Sequence, residues 1–256
     1  MADPGDLNPT GRFSDRSDDY VKYRPSYPRG AIDAIVEGFA GSGRRVAADV
    51  GAGTGISARL LADRGLSVVA VEPNQAMRDA AEAHPGVVWR DGSAENTGLD
   101  ASSVDLVLAA QAFHWFRAEE ALREFARILR PGGRLALMWN RRRNDDAFTA
   151  GYRAAILAVG GESQVERMDF DFEAIGKSGR FSTPRLVAFP FEQTLDWKGL
   201  LGRAMSASYV PKTGPGAARV TNLLRDLYAR YADAQGLVRL LYSTEVHLAD
   251  ALGGQS

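Results

Sequence analysis

The sequence predicts an α/β fold built on a mostly parallel sheet of seven strands, and three observations support this prediction. Short apolar runs alternate with amphipathic helical segments between residues 45 and 140. Most of these runs are apolar at consecutive positions, which is typical of parallel strands buried on both faces. A glycine-rich turn joins the first run to the helix after it, as at the first crossover of a doubly wound sheet. We therefore expect a Rossmann-like, doubly wound sheet with helices on both faces and a partly helical C-terminal cap.

The composition is that of an ordinary globular protein and excludes several function classes. Of the 256 residues, 45% are apolar, which is enough for a core without stabilising metals or disulfides. The absence of cysteine excludes disulfides and thiolate metal sites, and three histidines argue against a multi-histidine metal site, so no metal is expected. Lys+Arg 31 against Asp+Glu 32 gives a net charge of −1, which argues against nucleic-acid binding. No apolar run reaches the ~18 residues of a membrane span, and the polar start is unlike a signal peptide, so we expect a cytoplasmic protein without a membrane partner.

Apolar periodicity places the elements of the first half. Helices are predicted where apolar residues recur every three or four positions, as Ile32, Ile35 and Phe39 do, and strands where a short run is apolar throughout. Glycine ends one of these helices at Gly65, and Asn74 opens the next. In chain order the predicted elements are helix 31–39, strand 46–50, helix 56–64, strand 68–71, helix 74–84, strand 87–89, strand 105–110, helix 117–130 and strand 134–139.

The alternation weakens after residue 140, but two further strands are predicted. The segment 141–180 is polar and mostly helix-like. The later elements are predicted as strand 185–191, helix 196–208, helix 217–231 and a closing strand 238–248. Because no repeat or linker separates them, we expect a flexible arm at residues 1–12 followed by a single domain at residues 13–252.

The glycine turn and an acidic residue predict a nucleoside-binding crevice. The turn 51–55 has the spacing G-x-G-x-G, and the sixth position is Ile56, where a dinucleotide fingerprint needs glycine or alanine. Glu72 ends the second predicted strand, nineteen residues after Gly53. A carboxylate at this strand end can accept hydrogen bonds from both hydroxyls of a ribose. The alternatives, a tight structural turn and a solvated strand end, stay open for each feature taken alone.

Several ordered motifs resemble the class I S-adenosylmethionine-dependent methyltransferases. They cover about residues 13–140, and they are the segments 49–55, 71–74 with Met77, 92–95, 105–108 and 129–133. The segments 20–28, 111–116 and 206–209 are similar to a small-molecule branch that includes trans-aconitate methyltransferase-like proteins. The resemblance implies methyl transfer from S-adenosylmethionine to a small-molecule acceptor, with S-adenosylhomocysteine as the product. It also divides the expected domain into a cofactor-binding core at 13–140 and an acceptor-side cap with closing strands at 141–252.

The resemblance implies cofactor contacts for twelve residues. Glu72 would hold the ribose, the backbone N–H of Ala94 would meet the adenine edge, and Gln111 would lie beneath the methionine moiety. Tyr20 and Arg24 would close over the cofactor. The full set is Tyr20, Arg24, Asp49, Gly51, Ala52, Gly53, Glu72, Pro73, Met77, Ser93, Ala94 and Gln111.

Methyl transfer mainly requires alignment of nucleophile, methyl group and sulfur, and a base only if the acceptor arrives protonated. His114 is the candidate catalytic base, because it follows the fourth strand and titrates near neutrality; a packing role is the alternative. The run 141–143 is three arginines that could attract an anionic acceptor, or form a solvated turn. Trp115, Phe116 and Tyr209 could line an apolar acceptor pocket or pack in the core.

Four functions stay open from the sequence. The first is carboxyl O-methylation of a small acid, and the second is O-, N- or C-methylation of an aromatic or polyketide-like natural product. The third is a non-catalytic S-adenosylmethionine-binding protein, and the fourth is a dinucleotide-dependent oxidoreductase, which Ile56 disfavours. The expected assembly is a monomer or a homodimer.

Overall fold

The protein is represented by a computed structural model, which describes residues 23–39, 45–160, 172–207 and 210–252. Its strands are β1 Val46–Val50, β2 Ser67–Val71, β3 Val87–Arg90, β4 Val104–Ala110, β5 Leu129–Arg142, β6 Arg185–Leu195 and β7 Val238–Asp250. Its helices are α1 Arg29–Val36, α2 Ile56–Ala62, α3 Gln75–Asp79, α4 Ala118–Ile128, α5 Ala147–Gly160, α6 Glu173–Lys177, α7 Trp197–Met205 and α8 Gly214–Tyr231.

The seven strands form one sheet in the order β3-β2-β1-β4-β5-β7-β6. Strands β1 to β5 pair in parallel, and β7 runs antiparallel to both of its neighbours. The order reverses between β1 and β4, so their carboxyl ends flank the crevice where doubly wound sheets bind ligands. The predicted mostly parallel, seven-stranded α/β fold is confirmed.

The central strands are buried on both faces, which is why their sequences are apolar without alternation. In β1, Ala47 packs in a cluster with residues of α1 and α2. The neighbouring Ala48 and Val50 point to the opposite face, where they pack in a cluster with residues of α4. This alternation follows from the two-residue period of a strand, and it confirms helices on both sides of the sheet.

Helices α5, α7 and α8 form the predicted helical cap with the outer part of the sheet. Their buried side chains share a third cluster with the first residues of β7, including Val238, Leu240 and Tyr242. Among the described residues, no helix combines the length and the apolar character that crossing a membrane would need.

Several element boundaries differ from the prediction, and two of them differ by five residues. The helix predicted at 74–84 ends at Asp79, well before Pro85, which disfavours helical backbone only at His84. Strand β5 begins at Leu129 rather than at residue 134, since its pairing with β4 continues across the predicted turn with a shift in register. Gly133 is needed there, because a Cβ would lie 2.9 Å from the carbonyl oxygen of Arg130.

Candidate functional site

A cleft of about 210 Å³ lies at the carboxyl ends of β1, β2 and β4. Eight of the twelve expected cofactor residues line it. The lining residues are Gly51, Gly53, Glu72, Pro73, Met77, Ser93, Ala94, Glu95, Ala110, Gln111, Ala112, Trp115 and Phe116. The topology therefore brings together residues that are up to 65 positions apart in the chain, since Gly51 and Phe116 meet in one cleft.

The glycine turn after β1 forms the floor of the cleft and requires glycine. Gly51 and Gly53 have φ values of +69° and +58°, in the left-handed region that favours glycine. A Cβ on Gly51 would lie 2.7 Å from the Cβ of Ala112 and 2.9 Å from Cζ of Phe116. The turn thus approaches the end of β4 too closely for any side chain at this position.

Glu72 follows β2 and faces the cleft with both carboxylate oxygens held in place. Its Oε2 accepts the backbone N–H of Gly53, and its Oε1 accepts that of Asn74, each at 2.9 Å. Burial raises the pKa of Glu72 above its ordinary value, and the N–H groups of Asn74 and Gly53 oppose this rise. Because a carboxylate oxygen can accept more than one hydrogen bond, both oxygens remain able to accept hydroxyl groups of a ligand.

Asp49 lies in β1 just before the turn and is only 1% exposed. Its Oδ2 accepts the hydroxyl of Ser57 at 2.7 Å, whereas its Oδ1 is buried without a hydrogen-bond partner among the described residues. Burial is the main cause that raises the pKa of Asp49 to about 7. Asp49 does not line the cleft, so the structure places it behind the turn rather than on the cleft surface.

The raised pKa of Asp49 predicts a pH-dependent stability that Asp49→Asn should remove. The folded protein holds this proton up to about pH 7, whereas an aspartate in the unfolded chain loses it near its ordinary pKa of 3.8. The free energy of unfolding therefore falls as the pH rises through this window, by at most about 4 kcal/mol from this group. Urea denaturation should show wild type losing stability relative to the variant between pH 4 and pH 7. A difference in the free energy of unfolding between the two proteins that does not change with pH would contradict the raised pKa of Asp49.

The end of β4 is held in a strained conformation beside the turn. Gln111 has φ +57°, which is uncommon for a residue other than glycine. Its backbone N–H donates to the carbonyl oxygen of Met138 in β5 at 2.8 Å. Such strain is found preferentially at ligand sites, where neighbouring structure stabilises it.

The loop after β3 forms one wall of the cleft. Ser93 and Asn96 close it, because the Ser93 N–H donates to the Asn96 carbonyl at 3.1 Å and the Ser93 hydroxyl accepts the Asn96 N–H at 3.2 Å. Ala94 is 3% exposed and packs in the core. Glu95 accepts the backbone N–H of Arg117 at 2.9 Å, which ties this wall to the start of α4.

The opposite wall is formed by the start of α3. Asn74 caps this helix, because its side-chain oxygen accepts the backbone N–H of Met77 at 3.3 Å. Met77 is buried and lines the cleft, and Pro73 lines it with an exposed ring.

His114 lies beside the cleft, in the 3-10 turn Phe113–Trp115, but is not one of its lining residues. Its Nδ1 accepts the indole N–H of Trp139 at 3.5 Å. Burial, together with the charge of Arg24, lowers the pKa of His114 to about 4. Since the ring is neutral and Nδ1 accepts, Nε2 carries the proton and has no lone pair with which to take another. This geometry argues against the expected role of His114 as a general base.

The structure places three of the expected cofactor residues, Arg24, Asp49 and Ala52, outside the cleft lining. Tyr20, like the expected pocket residue Tyr209, lies outside the described residues. Arg24 lies near His114 rather than among the lining residues. Ala52 is 8% exposed and, like Asp49, does not line the cleft. Both residues therefore support the turn and do not form the cleft surface.

The expected anion-docking run at 141–143 is largely engaged within the protein. Arg141 pairs with the carboxylate of Glu245, and Arg143 pairs with that of Asp145. The guanidinium of Arg142 lies 5.3 Å from the ring centroid of Tyr152. These contacts do not favour the run as a site for an acceptor anion.

The sequence did not identify Glu95, Ala110 and Ala112 as site residues, although each was near an identified one. Ala110 and Ala112 flank Gln111. Small residues at the end of a central strand are a signal that a ligand or another segment approaches the backbone closely. Glu95 directly follows Ala94 in the loop whose motif the sequence already indicates.

The charge of the cleft selects among ligand classes. Its described lining contains two acids, Glu72 and Glu95, and neither lysine nor arginine. The lining also excludes Gly55 and Ile56, at the N-terminus of α2, where dinucleotide-binding sheets hold a pyrophosphate. This arrangement suits a nucleoside that carries a positive charge better than one that carries phosphates.

Comparison with known proteins gives one consistent family. Residues 48–137 match the family model described as a methyltransferase domain. An uncharacterized methyltransferase of Mycobacterium tuberculosis is 51% identical over 124 residues, which cover 48% of this chain and 49% of that protein. An uncharacterized methyltransferase-like protein of Schizosaccharomyces pombe is 35% identical over 199 residues, which cover 76% of each chain.

Solved structures agree in fold. A protein of Anaeromyxobacter dehalogenans that carries the provisional name of a type II methyltransferase superposes with a TM-score of 0.70 at 24% identity. The superposition covers 91% of this chain and 100% of that one. The sequence match to the mycobacterial relative spans about half the length of that protein.

Proposed function

The chain belongs to the class I S-adenosylmethionine-dependent methyltransferase family, and from this premise we propose that it transfers a methyl group from S-adenosylmethionine to a small-molecule acceptor. The observation that carries the proposal is Glu72, whose two oriented oxygens face the cleft beside a turn that leaves no room for a side chain at Gly51. A carboxylate held in this way is suited to the two hydroxyls of a ribose.

The lining residues divide into groups that fit the parts of S-adenosylmethionine. Glu72 would hold the ribose, and Met77, Ser93 and Ala94 would enclose the adenine. Gly51 and Gly53 would leave space for the methionine end, with Gln111 beside it. The family's cofactor is a cation at sulfur, which agrees with the two acids in the described lining.

The protein's contribution to the reaction is binding, orientation and exclusion of water. Bound S-adenosylmethionine supplies a methyl group on a sulfonium sulfur, which is already activated by its charge. Trp115 and Phe116 line the β4 side of the cleft with aromatic surface, which would keep water from the reacting atoms. Alignment of an acceptor against this methyl group then supplies most of the rate enhancement.

We assign the acceptor to the side of the molecule built by the C-terminal segment. Trp139, in β5, and His114, after β4, meet next to the cleft. Strands β7 and β6 form the neighbouring edge of the sheet, and helices α5, α7 and α8 pack with the first residues of β7. These elements would shape the acceptor chamber. The protein would act as a monomer or a homodimer in the cytoplasm, without nucleic acid.

Calorimetry separates the proposed function from the oxidoreductase alternative. We expect S-adenosylhomocysteine to bind and NADH to show no comparable affinity, because the described cleft lacks cationic groups for a pyrophosphate. Incubation with methyl-labelled S-adenosylmethionine and a panel of small acids, phenols and amines would then test for catalysis. Tighter binding of NADH would overturn the proposal, and product binding without any methyl transfer would favour a non-catalytic binding protein.

A further inference from the structure

The guanidinium of Arg78 joins three segments of the chain at Glu72. Its Nη1 donates to the backbone carbonyl of Glu72, directly after β2, and at 3.2 Å to the carboxylate of Asp91, directly after β3. Its Nη2 donates to the side-chain oxygen of Gln75 in α3. The Arg78 side chain is only 12% exposed, and the planar guanidinium fixes the directions of these donors. Arg78 therefore holds the backbone from which the Glu72 carboxylate projects.

This contact leaves the carboxylate of Glu72 free of the guanidinium. Arg78 donates to the backbone carbonyl of Glu72, whereas the two carboxylate oxygens accept the backbone N–H groups of Gly53 and Asn74. A guanidinium paired with the carboxylate itself would occupy both oxygens in a bidentate contact. With Arg78 on the carbonyl, each oxygen of Glu72 keeps a lone pair for a hydroxyl group of the ligand.

Arg78 also places a positive charge beside the carboxylate. Burial raises the pKa of Glu72, and the backbone N–H groups and the charge of Arg78 oppose this rise, while the charge of Asp91 adds to it. Asp49, behind the glycine turn, is a further acid whose charge interacts with that of Glu72. The described lining of the cleft contains neither lysine nor arginine, so the opposing charge comes from a residue outside that lining.

We propose that Arg78 is a positioning residue for cofactor binding, which orients Glu72 through its backbone and keeps its carboxylate charged without occupying the oxygens that meet the ribose. The proposal rests on the proposed use of S-adenosylmethionine. Hydroxyl groups donate more strongly to a carboxylate than to a neutral acid. Without Arg78, Glu72 takes up a proton at a higher pH, so the loss of affinity should be largest on the acid side.

The first test reads the charge of Glu72 without any ligand. Carbon nuclear magnetic resonance of the full chain with ¹³C-labelled glutamate follows its carboxyl signal with pH, and Glu72→Gln identifies that signal. We expect the titration midpoint to rise by about one pH unit or more in Arg78→Gln, because a neighbouring opposite charge is lost. Arg78→Lys keeps the charge and should stay within about half a unit of wild type. Equal midpoints in wild type and Arg78→Gln would overturn the proposal.

A variant at Asp91 gives a change of the opposite sign. Asp91→Asn removes the acid that disfavours charge on Glu72, while its side-chain oxygen can still accept from Arg78. The Glu72 midpoint should therefore fall below that of wild type. Because Asp91 is exposed, this variant tests the charge of the site even where Arg78→Gln does not fold. A midpoint that rises or stays the same in Asp91→Asn would contradict the proposal.

The second test measures the affinity for S-adenosylhomocysteine by calorimetry between pH 5 and pH 8. Arg78→Gln should lose up to about tenfold more affinity at pH 5 than at pH 8, which corresponds to a shift of one pH unit in the titration of Glu72. Arg78→Lys loses part of the hydrogen bonding but keeps the charge, so its loss should be the same at every pH. A purely structural role would weaken Arg78→Gln equally at every pH, and that result would overturn the proposal.

Arg64→Gln is the matched control, because this arginine also meets a carboxylate, that of Asp33, and a backbone carbonyl, that of Arg29. It should leave both the Glu72 midpoint and the affinity unchanged. Wild-type protein that does not bind S-adenosylhomocysteine at any pH would refute the proposed function, and with it the role of Arg78 in cofactor binding. If wild type binds the product but the pH profile of Arg78→Gln runs parallel to that of wild type, the proposal for Arg78 alone is wrong.

Discussion

Replacing Glu72 with alanine should weaken the binding of S-adenosylhomocysteine by at least about 100-fold, since two hydrogen bonds to a charged acceptor are lost. The variant also leaves the backbone N–H groups of Gly53 and Asn74 without their acceptor, so the turn and the start of α3 lose their common anchor. Isothermal titration calorimetry measures the affinity, and circular dichroism checks that the variant is folded.

Two further variants make the Glu72 result specific. Glu72→Gln keeps one acceptor oxygen but turns an amide N–H toward one of the two backbone donors, so we expect an intermediate loss. Glu82→Ala removes an exposed carboxylate that pairs with Arg59, and it should leave the affinity unchanged. Product affinity in Glu72→Ala within about threefold of wild type would contradict the assignment of Glu72 to the ribose.

The substitution Gly51→Ala should lower the free energy of unfolding by about 2–5 kcal/mol, from left-handed backbone and overpacking together. Its φ of +69° disfavours any residue with a Cβ. The new Cβ would also lie 2.7 Å from the Cβ of Ala112, so the turn and the end of β4 must move apart. Urea denaturation gives the stability, and the displaced turn should also weaken product binding.

Gly65→Ala is the matched control for this substitution. Gly65 has φ +84°, and a Cβ added there would meet no atom within 4 Å, so alanine brings only the conformational cost of about 1–2 kcal/mol. The difference in the free energy of unfolding between the two variants gives the steric cost of the close approach of the turn to β4. Equal losses of stability at Gly51 and Gly65 would contradict a steric requirement at the cleft.

The cofactor side of the site was predictable because its signals are local. Strand β1 was predicted with its observed bounds, since the glycine turn marks its end in the sequence. Glu72 comes directly after β2, and parallel pairing in register with β1 brings it to the same edge as Gly51 and Gly53. Strand ends and turn residues therefore located Gly51, Gly53 and Glu72, whereas the family resemblance supplied the other expected residues of the cleft.

The acceptor side was not predictable, because it depends on contacts between distant strands. The hydrogen bond from Trp139 to His114 joins residues 25 positions apart, one within β5 and one in the turn after β4. The ion pair of Arg141 with Glu245 spans 104 positions and requires the antiparallel pairing of β7 with β5. A histidine after a strand looks like a base in sequence, and only the neighbouring indole shows where its proton lies.

The left-handed conformation of Gln111 was also not predictable from the sequence. Only glycine, and to a lesser degree asparagine or aspartate, signals a positive φ, and glutamine gives no such signal. The conformation occurs where the N–H of Gln111 donates to the carbonyl oxygen of Met138 in the neighbouring strand. Tertiary structure therefore decides the local backbone at the point where the cleft meets β4.

The most direct test of the account is a crystal structure of the full chain with S-adenosylhomocysteine. We expect both ribose hydroxyls within hydrogen-bond distance of the Glu72 carboxylate, the adenine between Met77 and Ala94, and the sulfur next to Gln111. Product bound elsewhere, or bound in the cleft with its ribose outside hydrogen-bond distance of Glu72, would contradict the central claim.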